Sequence, residues 1–257
     1  MNHDEGPRLP PELEHQIFEL AYAQSRVDQV SNNLFLVAKR VHEWLIPLRF
    51  EVVMIHASGQ WPLILERYGH HVHHFHASSS SAKRLLSFCP NVTNLAIWTT
   101  VTSQDIHNIR SLPITYLSIN IRELFQTDTD LHSFCSNITH LDVSSRSSWA
   151  TEDVLSHFPV LTHIALFEDI DERDIQACLV HGKALEVLVL ISPGVDENGL
   201  VEEAQDRDDK RIVQIEFGRS YKDDWKEGAY GGMDMWVFSD EVIAKRRRGL
   251  PTAHDTK

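Results

Sequence analysis

The sequence predicts an α/β repeat fold, in which short strands alternate with short helices and the strands form one parallel sheet. An apolar-x-x-apolar-x-apolar pattern recurs seven times, at separations of about 20 to 27 residues. Stretches with apolar residues at helical spacing lie between the copies. Because one such unit cannot bury its apolar side alone, neighbouring units must stack around a common core. The central residues of the seven copies are Phe75, Leu95, Leu117, Leu141, Ile164, Leu188 and Ile215.

Helix-start signals support this alternation. Thr102 precedes Asp105 by three residues, and Thr151 directly precedes Glu152 and Asp153. A hydroxyl ahead of first-turn carboxylates is typical of a helix N-terminus, because both groups accept hydrogen bonds from free backbone N–H groups. We therefore expect each unit to consist of a helix, a turn and a short strand.

The repeat region, taken as residues 51–218, resembles the leucine-rich-repeat family in an irregular form. The likeness is carried by the copies between residues 70 and 218. Regular members of that family have an Asn or Cys a few residues past each strand. The resemblance implies a solenoid with a parallel sheet, and the missing Asn or Cys column implies uneven curvature and variable turns. The residues in that column are Thr100, Arg122, Arg146, Asp169 and Pro193.

Residues that alternate with the apolar core positions are expected to point away from the core, onto the concave side of the sheet. Aromatic side chains in these positions would form an exposed apolar strip, and aromatic residues are common anchors of protein interfaces. The other interpretation is that the C-terminal segment covers this strip. The predicted target-binding residues are Trp98, Tyr116, His140, Asp142, His163 and Phe167.

Residues 1–50 lack the repeat period and are predicted to form a small α-helical module. Pro10 and Pro11 precede one amphipathic helix, and a second helix is predicted over residues 34–45, with Pro47 ending it. One interpretation is that these helices only seal the first strand of the sheet, since repeat proteins need capped ends.

The same segment resembles the F-box, in particular that of fungal (basidiomycete-type) F-box-like proteins. The likeness is carried by Leu9-Pro10-Pro11-Glu12-Leu13, by Ile17 and Leu20, and by Leu36-Val37-Ala38-Lys39-Arg40. The resemblance implies binding to the Skp-type adaptor of a cullin–RING ubiquitin ligase. The residues that it places on the adaptor-facing side are Leu9, Pro10, Leu13, Ile17, Leu20 and Val37.

Residues 219–257 are predicted to form a C-terminal capping helix and tail. The helix is expected to begin at about Asp234 and to end at Gly249. Trp225 and Trp236 are expected to cover the last strand. The predicted apolar face of this helix consists of Met233, Trp236, Val237, Ile243 and Ala244.

No combination of residues in the sequence indicates catalysis or a resident cofactor. The chain has no Gly-x-Ser-x-Gly, Walker or His-Glu-x-x-His motif. Five histidines lie between His70 and His76, but no Cys or carboxylate joins them there, so a solvated strand edge is favoured over a metal site. We therefore predict a protein that is not an enzyme and holds no cofactor or metal. Metal or small-ligand binding by the histidines is a third, weaker interpretation.

Charge and composition exclude several other classes of partner. The chain carries 24 Lys and Arg against 37 Asp and Glu, a formal net charge of −13, so nucleic acid is not expected as a partner. The longest apolar run, residues 187–191, is far shorter than the roughly 20 residues of a membrane helix. Three widely spaced cysteines and the lack of a signal peptide predict a cytoplasmic and/or nuclear protein.

Together these observations predict a non-catalytic substrate receptor. The N-terminal module would bind the Skp-type adaptor of an SCF-type ubiquitin ligase, and the concave face would bind an unknown target protein. The alternative is a stand-alone leucine-rich-repeat interaction scaffold that binds no ligase adaptor.

Overall fold

The strands of the described chain form one nine-stranded sheet, in which only β8 is antiparallel to its neighbour. The predicted α/β class and parallel sheet are confirmed. The computed structural model describes residues 9–25, 29–56, 59–121, 124–125, 132–143, 149–167, 170–193, 200–202, 209–218 and 220–250. The strands, whose spatial order is β1-β2-β3-β4-β5-β6-β7-β9-β8, are β1 Val52–Ile55, β2 His74–Ala77, β3 Asn94–Ile97, β4 Tyr116–Ile119, β5 His140–Val143, β6 His163–Phe167, β7 Val187–Pro193, β8 Leu200–Glu202 and β9 Ile212–Phe217.

Helices precede the sheet, connect its strands and follow it. As expected, Thr102 and Thr151 cap two of the connecting helices, and Thr102 forms a reciprocal capping box with Asp105. Within the described residues, none of the helices is long and apolar enough to cross a bilayer. The helices are α1 Pro11–Gln24, α2 Gln29–Leu34, α3 Lys39–Phe50, α4 Trp61–Tyr68, α5 Ser80–Lys83, α6 Ser103–Ile109, α7 His132–Cys135, α8 Glu152–Ser156, α9 Glu172–His181, α10 Tyr221–Ala229 and α11 Met235–Arg247.

The first six copies of the sequence pattern lie in register across β2 to β7. Their central residues are direct neighbours from strand to strand, beginning with Phe75 beside Leu95 and ending with Ile164 beside Leu188. Strand β1 adds one more unit at the start, because Val53 pairs with Phe75. The apolar period of the sequence therefore determines both the number and the register of these strands.

One face of the sheet, here called the core face, packs against the connecting helices. Strand residues such as Phe75 and helix residues such as Ile106 belong to one continuous buried cluster that runs from β1 to β9. Cys89, Cys135 and Cys178 are buried in this cluster and form no disulfide. The three cysteines therefore serve as small core residues.

A row of threonines joins neighbouring repeats at the start of the strands. The hydroxyl of each threonine donates a hydrogen bond of 3.2–3.3 Å to the backbone carbonyl of the preceding repeat. In regular repeats, a column of Asn or Cys lies past the strands. In this chain three residues of that column, Arg122, Arg146 and Asp169, lie outside the described residues. The threonine row thus supplies a repeat-to-repeat polar contact at the opposite end of the strands. Its members are Thr93, Thr115, Thr139 and Thr162.

The seventh predicted copy is wrong in its register. Leu188 pairs with Ile212, not with Ile215, and Val189 pairs with Val213. The shift is an odd number of residues, so it moves Ile215 to the face opposite the core face. The physical reason is that Ile212, Val213 and Ile215 present apolar side chains to both faces, so alternation alone does not select one register.

The N-terminal helices form an apolar cluster of their own. Tyr22 of α1 packs with Phe35, Val41 and Leu45. The predicted helix over residues 34–45 is wrong in its bounds: α2 ends at Leu34, and α3 continues through Pro47 to Phe50. Pro47 removes one backbone donor, but the helix continues past it.

The C-terminal segment contains two helices, whereas the sequence predicted one. Helix α10 precedes the predicted helix, which is confirmed as α11 with Asp234 as its N-cap. Its buried side agrees with the predicted one only in part: Ile243 is buried and Trp236 is partly buried, but Met233 and Val237 are exposed. The other buried apolar residues are Met235 and Val242. Both helices lie across the face of the sheet opposite the core face, here called the second face. Residues 1–8 and 251–257, at the two predicted ends, lie outside the described residues.

Candidate functional site

The N-terminal helices expose a group of apolar side chains, here called the N-terminal apolar surface. Leu13 and Ile17 on α1 are 47 % and 50 % exposed, respectively. They lie one helical turn apart, on the side of α1 away from Tyr22, which packs inside the module. Contact of such large apolar side chains with water is unfavourable, so burying them against a partner would lower the free energy. The members of the surface are Leu9, Leu13, Ile17, Leu20, Leu36 and Val37.

An ion pair brings the two parts of this surface together. Arg40, in the first turn of α3, donates a 2.6 Å hydrogen bond to the carboxylate of Glu14 in α1. The turn that carries Leu36 and Val37 directly precedes α3, and Phe35 at its start packs edge-on against Tyr22 of α1 at 5.7 Å between centroids. All five apolar residues predicted to face an adaptor are exposed, as is Pro10 before α1. Leu36 was not among the predicted contact residues, although it is the most exposed side chain of the surface.

The predicted target-binding residues do not form an open strip. Asp142 and His163 are only 4 % and 8 % exposed, and Trp98 is the most open of the six, at 40 %. The others, Tyr116, His140 and Phe167, are half-buried. The C-terminal helices cover these residues, which is the other interpretation that the sequence allowed. The predicted exposure is therefore wrong for most of this set.

Helix α10 contacts the second face through aromatic side chains. The Tyr221 hydroxyl donates a hydrogen bond to the Asp142 carboxylate, and the Tyr221 ring lies 4.4 Å from Trp98 and 4.8 Å from Phe167 between centroids. One turn later, Trp225 Nε1 donates a 3.1 Å hydrogen bond to Asn94 Oδ1 in β3. The prediction that Trp225 covers the last strand is therefore wrong.

Helix α11 contacts strands β5, β6, β7 and β9. The Trp236 ring stands edge-on to His140 and His163, at 5.2 and 6.0 Å between centroids, so it also lies away from the last strand. Asp240 Oδ1 lies 3.0 Å from His163 Nε2. These contacts place α11 over β5 and β6, and its apolar side chains extend the cover to β7 and β9.

Three rings form a stack along the sheet beneath these helices. Tyr116 stacks on His140 at 4.0 Å, and His140 stacks on His163 at 4.1 Å, with interplanar angles of 16° and 11°. The hydroxyls of Thr139 and Thr162 hold Nδ1 of the two imidazoles, at 2.9 and 2.8 Å. The repeated Thr-His dipeptide was the sequence signal for this stack.

Burial keeps three imidazoles of the second face, those of His74, His76 and His140, neutral. Desolvation lowers the pKa of His74 and of His76 to about 4, and the charges of neighbouring cationic groups add to this effect. Desolvation and the nearby His163 lower the pKa of His140 to about 3. At pH 7 these rings therefore carry no charge.

The pKa of the Asp142 carboxyl is raised, whereas those of the imidazoles are lowered. Burial raises its pKa to about 7, hydrogen bonds from Tyr221 and Ser118 oppose that rise, and the charge of Asp224 adds to it. Ser118 also accepts a 2.9 Å hydrogen bond from Trp98 Nε1, so a polar chain runs from Trp98 through Ser118 to Asp142. A cavity of about 20 Å³, room for one water molecule, lies beside this chain.

The histidine cluster does not form a metal centre in the described part of the chain. His73 points to solvent, while His76 is buried between Trp98 and Trp225, so neighbouring members face different surroundings. No group of three His, Cys, Asp or Glu side chains among the described residues is arranged to hold an ion. Burial raises the pKa of Cys89, Cys135 and Cys178 to about 12, so these thiols are poor nucleophiles at neutral pH.

Comparisons with protein families, with curated proteins and with solved structures find no significant match for this chain. The N-terminal apolar surface and the second face of the sheet are therefore the features of the molecule that indicate its function.

Proposed function

We propose that this protein is a non-catalytic substrate receptor whose F-box-like N-terminal module binds the Skp-type adaptor of a cullin–RING ubiquitin ligase. The observation that carries the proposal is the exposure of Leu13 and Ile17 together with the other members of the N-terminal apolar surface. Five of these six residues, all except Leu36, are ones that the F-box resemblance places toward the adaptor.

The same observation separates docking from sealing. If the helices served only to close the end of the sheet, Leu13 and Ile17 would be buried against the chain. Contact with the repeats is instead made by α3, where Phe50 stacks on Tyr68 of α4 at 4.7 Å. The module therefore has one side toward the repeats and another, apolar side toward solvent, which is the layout that a docking module needs.

In this proposal the leucine-rich-repeat-like region carries the target and contributes no chemistry. Holding a target and the ligase on one chain raises the effective concentration of the target at the site of ubiquitin transfer. Catalysis then belongs to the other subunits of the ligase.

The test is a binding measurement with a purified Skp-type adaptor. We expect the wild-type protein to bind, and the Leu13→Asp/Ile17→Asp double variant to lose more than about tenfold in affinity, because two charges would be buried in an apolar interface. Thermal unfolding of the double variant should match that of the wild type, since both side chains are exposed in the free protein.

Leu63→Asp is the matched control, because Leu63 is a strongly exposed leucine on α4, outside the N-terminal apolar surface. Adaptor binding should survive this change. Failure of the wild-type protein to bind any Skp-type adaptor would overturn the proposal and favour the stand-alone scaffold. Equal losses in both variants would place the binding surface elsewhere.

A further inference from the structure

The second face has two chemically different halves. The half over β6, β7 and β9 is apolar, and α11 covers it in a continuous cluster. The half over β2 to β5 is polar. Helix α10 contacts it through Tyr221 and Trp225, and Trp236 of α11 covers its edge at His140. The apolar half consists of Ala165, Val187, Val189, Ile191, Val213 and Ile215. The polar half consists of His74, His76, Asn94, Tyr116, Ser118, His140 and Asp142.

The two helices are consequently held by different forces. Met235, Val242 and Ile243 bury α11 against apolar strand residues, and exposing that half to water would be costly. The apolar contacts of α10 are fewer, chiefly those of Trp225 and Ala229 with Val52 and Ala96. Directional contacts hold the rest of α10, from Tyr221 to Asp142 and from Trp225 to Asn94.

Covering the polar half leaves buried groups without hydrogen-bond partners. Nδ1 of His74 and both ring nitrogens of His76 are shielded from solvent and find no partner in the structure. A buried polar atom without a partner opposes the packing that shields it, because water would satisfy that atom. Docking of α10 therefore removes water from polar groups without replacing the hydrogen bonds that water would make. Docking of α11 has no such cost, because α11 covers apolar residues.

The two helices are joined by a short turn that contains Gly231. Gly231, in the turn between α10 and α11, has a φ of +75° and open space around it. A polar contact crosses the turn, from the backbone N–H of Met235 to the Asp224 carboxylate at 3.2 Å. Opening of α10 must break this bond together with those of Tyr221 and Trp225.

We infer that α10 is an intramolecular ligand of the polar half of the second face, which leaves that face while α11 and the repeats stay folded. The partner that replaces it is a helix presenting two aromatic hydrogen-bond donors one turn apart, as Tyr221 and Trp225 do. Such a helix reaches Asp142 and Asn94 and makes the face an interaction surface. This inference is independent of adaptor binding by the N-terminal module.

Hydrogen exchange of the full chain tests the opening. We expect the amides of α10 to exchange through a local opening that depends weakly on urea, and those of α11 to exchange only with global unfolding. The three buried thiols on the core face provide an internal control, since their alkylation also requires global unfolding. Equal protection and equal urea dependence in α10 and α11 would overturn the inference.

A variant that lacks the Tyr221 hydroxyl provides a second test of the opening of α10. Tyr221→Phe removes the hydrogen bond to Asp142 but keeps the ring, and should speed exchange in α10 by about tenfold without affecting α11 or the thiols. Tyr68→Phe is the matched control, because Tyr68 stacks on Phe50 far from this face. A uniform acceleration in both helices would contradict local opening. If Tyr221→Phe exposes the thiols, the exchange of the wild-type protein decides the question.

The partner class is tested with a helical peptide of residues 220–230 that carries Glu227→Lys, so that a lactam bridge joins the Asp223 carboxyl to the amine introduced at the exposed position 227. It should bind the Tyr221→Phe protein about tenfold more tightly than the wild type, because the resident helix competes less in the variant. A control peptide carrying Tyr221→Ala and Trp225→Ala should not bind. The proposed partner class would be overturned by any of three results: no binding of the peptide to the Tyr221→Phe protein, equal affinity for both proteins, or equal binding of the control peptide.

Discussion

Asp142 on β5 and Tyr221 on α10 are separated by 79 residues in the chain, and the Tyr221 hydroxyl donates a hydrogen bond to the Asp142 carboxylate beneath the C-terminal helices. The contact joins the middle of the repeat sheet to the segment that follows its last strand. Because burial raises the pKa of Asp142 to about 7, the strength of this contact depends on pH near neutrality.

Asp142→Asn should reduce the dependence of stability on pH below and around neutrality. A carboxyl whose pKa is raised in the folded state stabilises it most below the unfolded pKa, and that contribution is lost as pH rises through about 7. We expect the stability of the wild type relative to Asp142→Asn to fall by about 1 kcal/mol between roughly pH 6.5 and 8.5. Urea unfolding at the two pH values measures this difference, and a constant difference would contradict the assigned pKa.

His76→Phe should reduce the loss of stability in acid. An imidazole whose folded-state pKa is lowered to about 4 destabilises the fold as pH falls below its ordinary pKa, because the unfolded chain binds the proton more readily. We expect the variant to lose about 2 kcal/mol less than the wild type between roughly pH 7.5 and 5, in urea unfolding.

His107→Phe is the control for this prediction, since His107 is exposed on α6 and the same exchange of imidazole for phenyl there removes no buried group. The ring of His76 has no hydrogen-bond partner, so the phenyl ring also removes an unsatisfied group, and the variant should be at least as stable as the wild type at pH 7.5. An unchanged acid response in His76→Phe would show that another group is responsible.

Gly228→Ala should destabilise the contact between α10 and the start of α11. A methyl group at position 228 would lie 1.9 Å from the Asp234 carboxylate, which caps α11 by accepting a hydrogen bond from Val237 N–H. We expect a loss of about 1–2 kcal/mol in thermal or urea unfolding, because the cap must move. In an Asp234→Ser background, which keeps a shorter capping group, the same change should cost much less. Equal costs in both backgrounds would contradict the steric explanation.

Thr139→Val should show what one member of the threonine row contributes. The substitution keeps the shape of the side chain and removes the hydroxyl that bonds the Thr115 carbonyl and contacts His140 Nδ1. We expect a loss of about 1 kcal/mol in urea unfolding, the usual net value of such a hydrogen bond. Thr100→Val, at an exposed position past β3, is the control and should be neutral. Equal effects at both sites would show that the row does not stabilise the sheet.

The sequence by itself determined the core face of this protein. An apolar period that places Phe75, Leu95 and Leu117 on one side of successive strands has only one register that buries them all, and the six copies of that pattern pair as predicted. Local signals such as the capping pair Thr102 and Asp105 were also readable, because helix capping involves residues three positions apart.

The tertiary structure alone decided what covers the second face. Trp225 meets Asn94 across 131 residues, and neither residue carries a local signal of the other. The register of β9 was undecided for a related reason, since Ile212, Val213 and Ile215 are apolar toward both faces, and the packing of α11 settles which ones face it. Alternation of polar and apolar residues determines the register of a strand when one face of the sheet is polar. Where both faces are buried, only the complete fold selects the pairing.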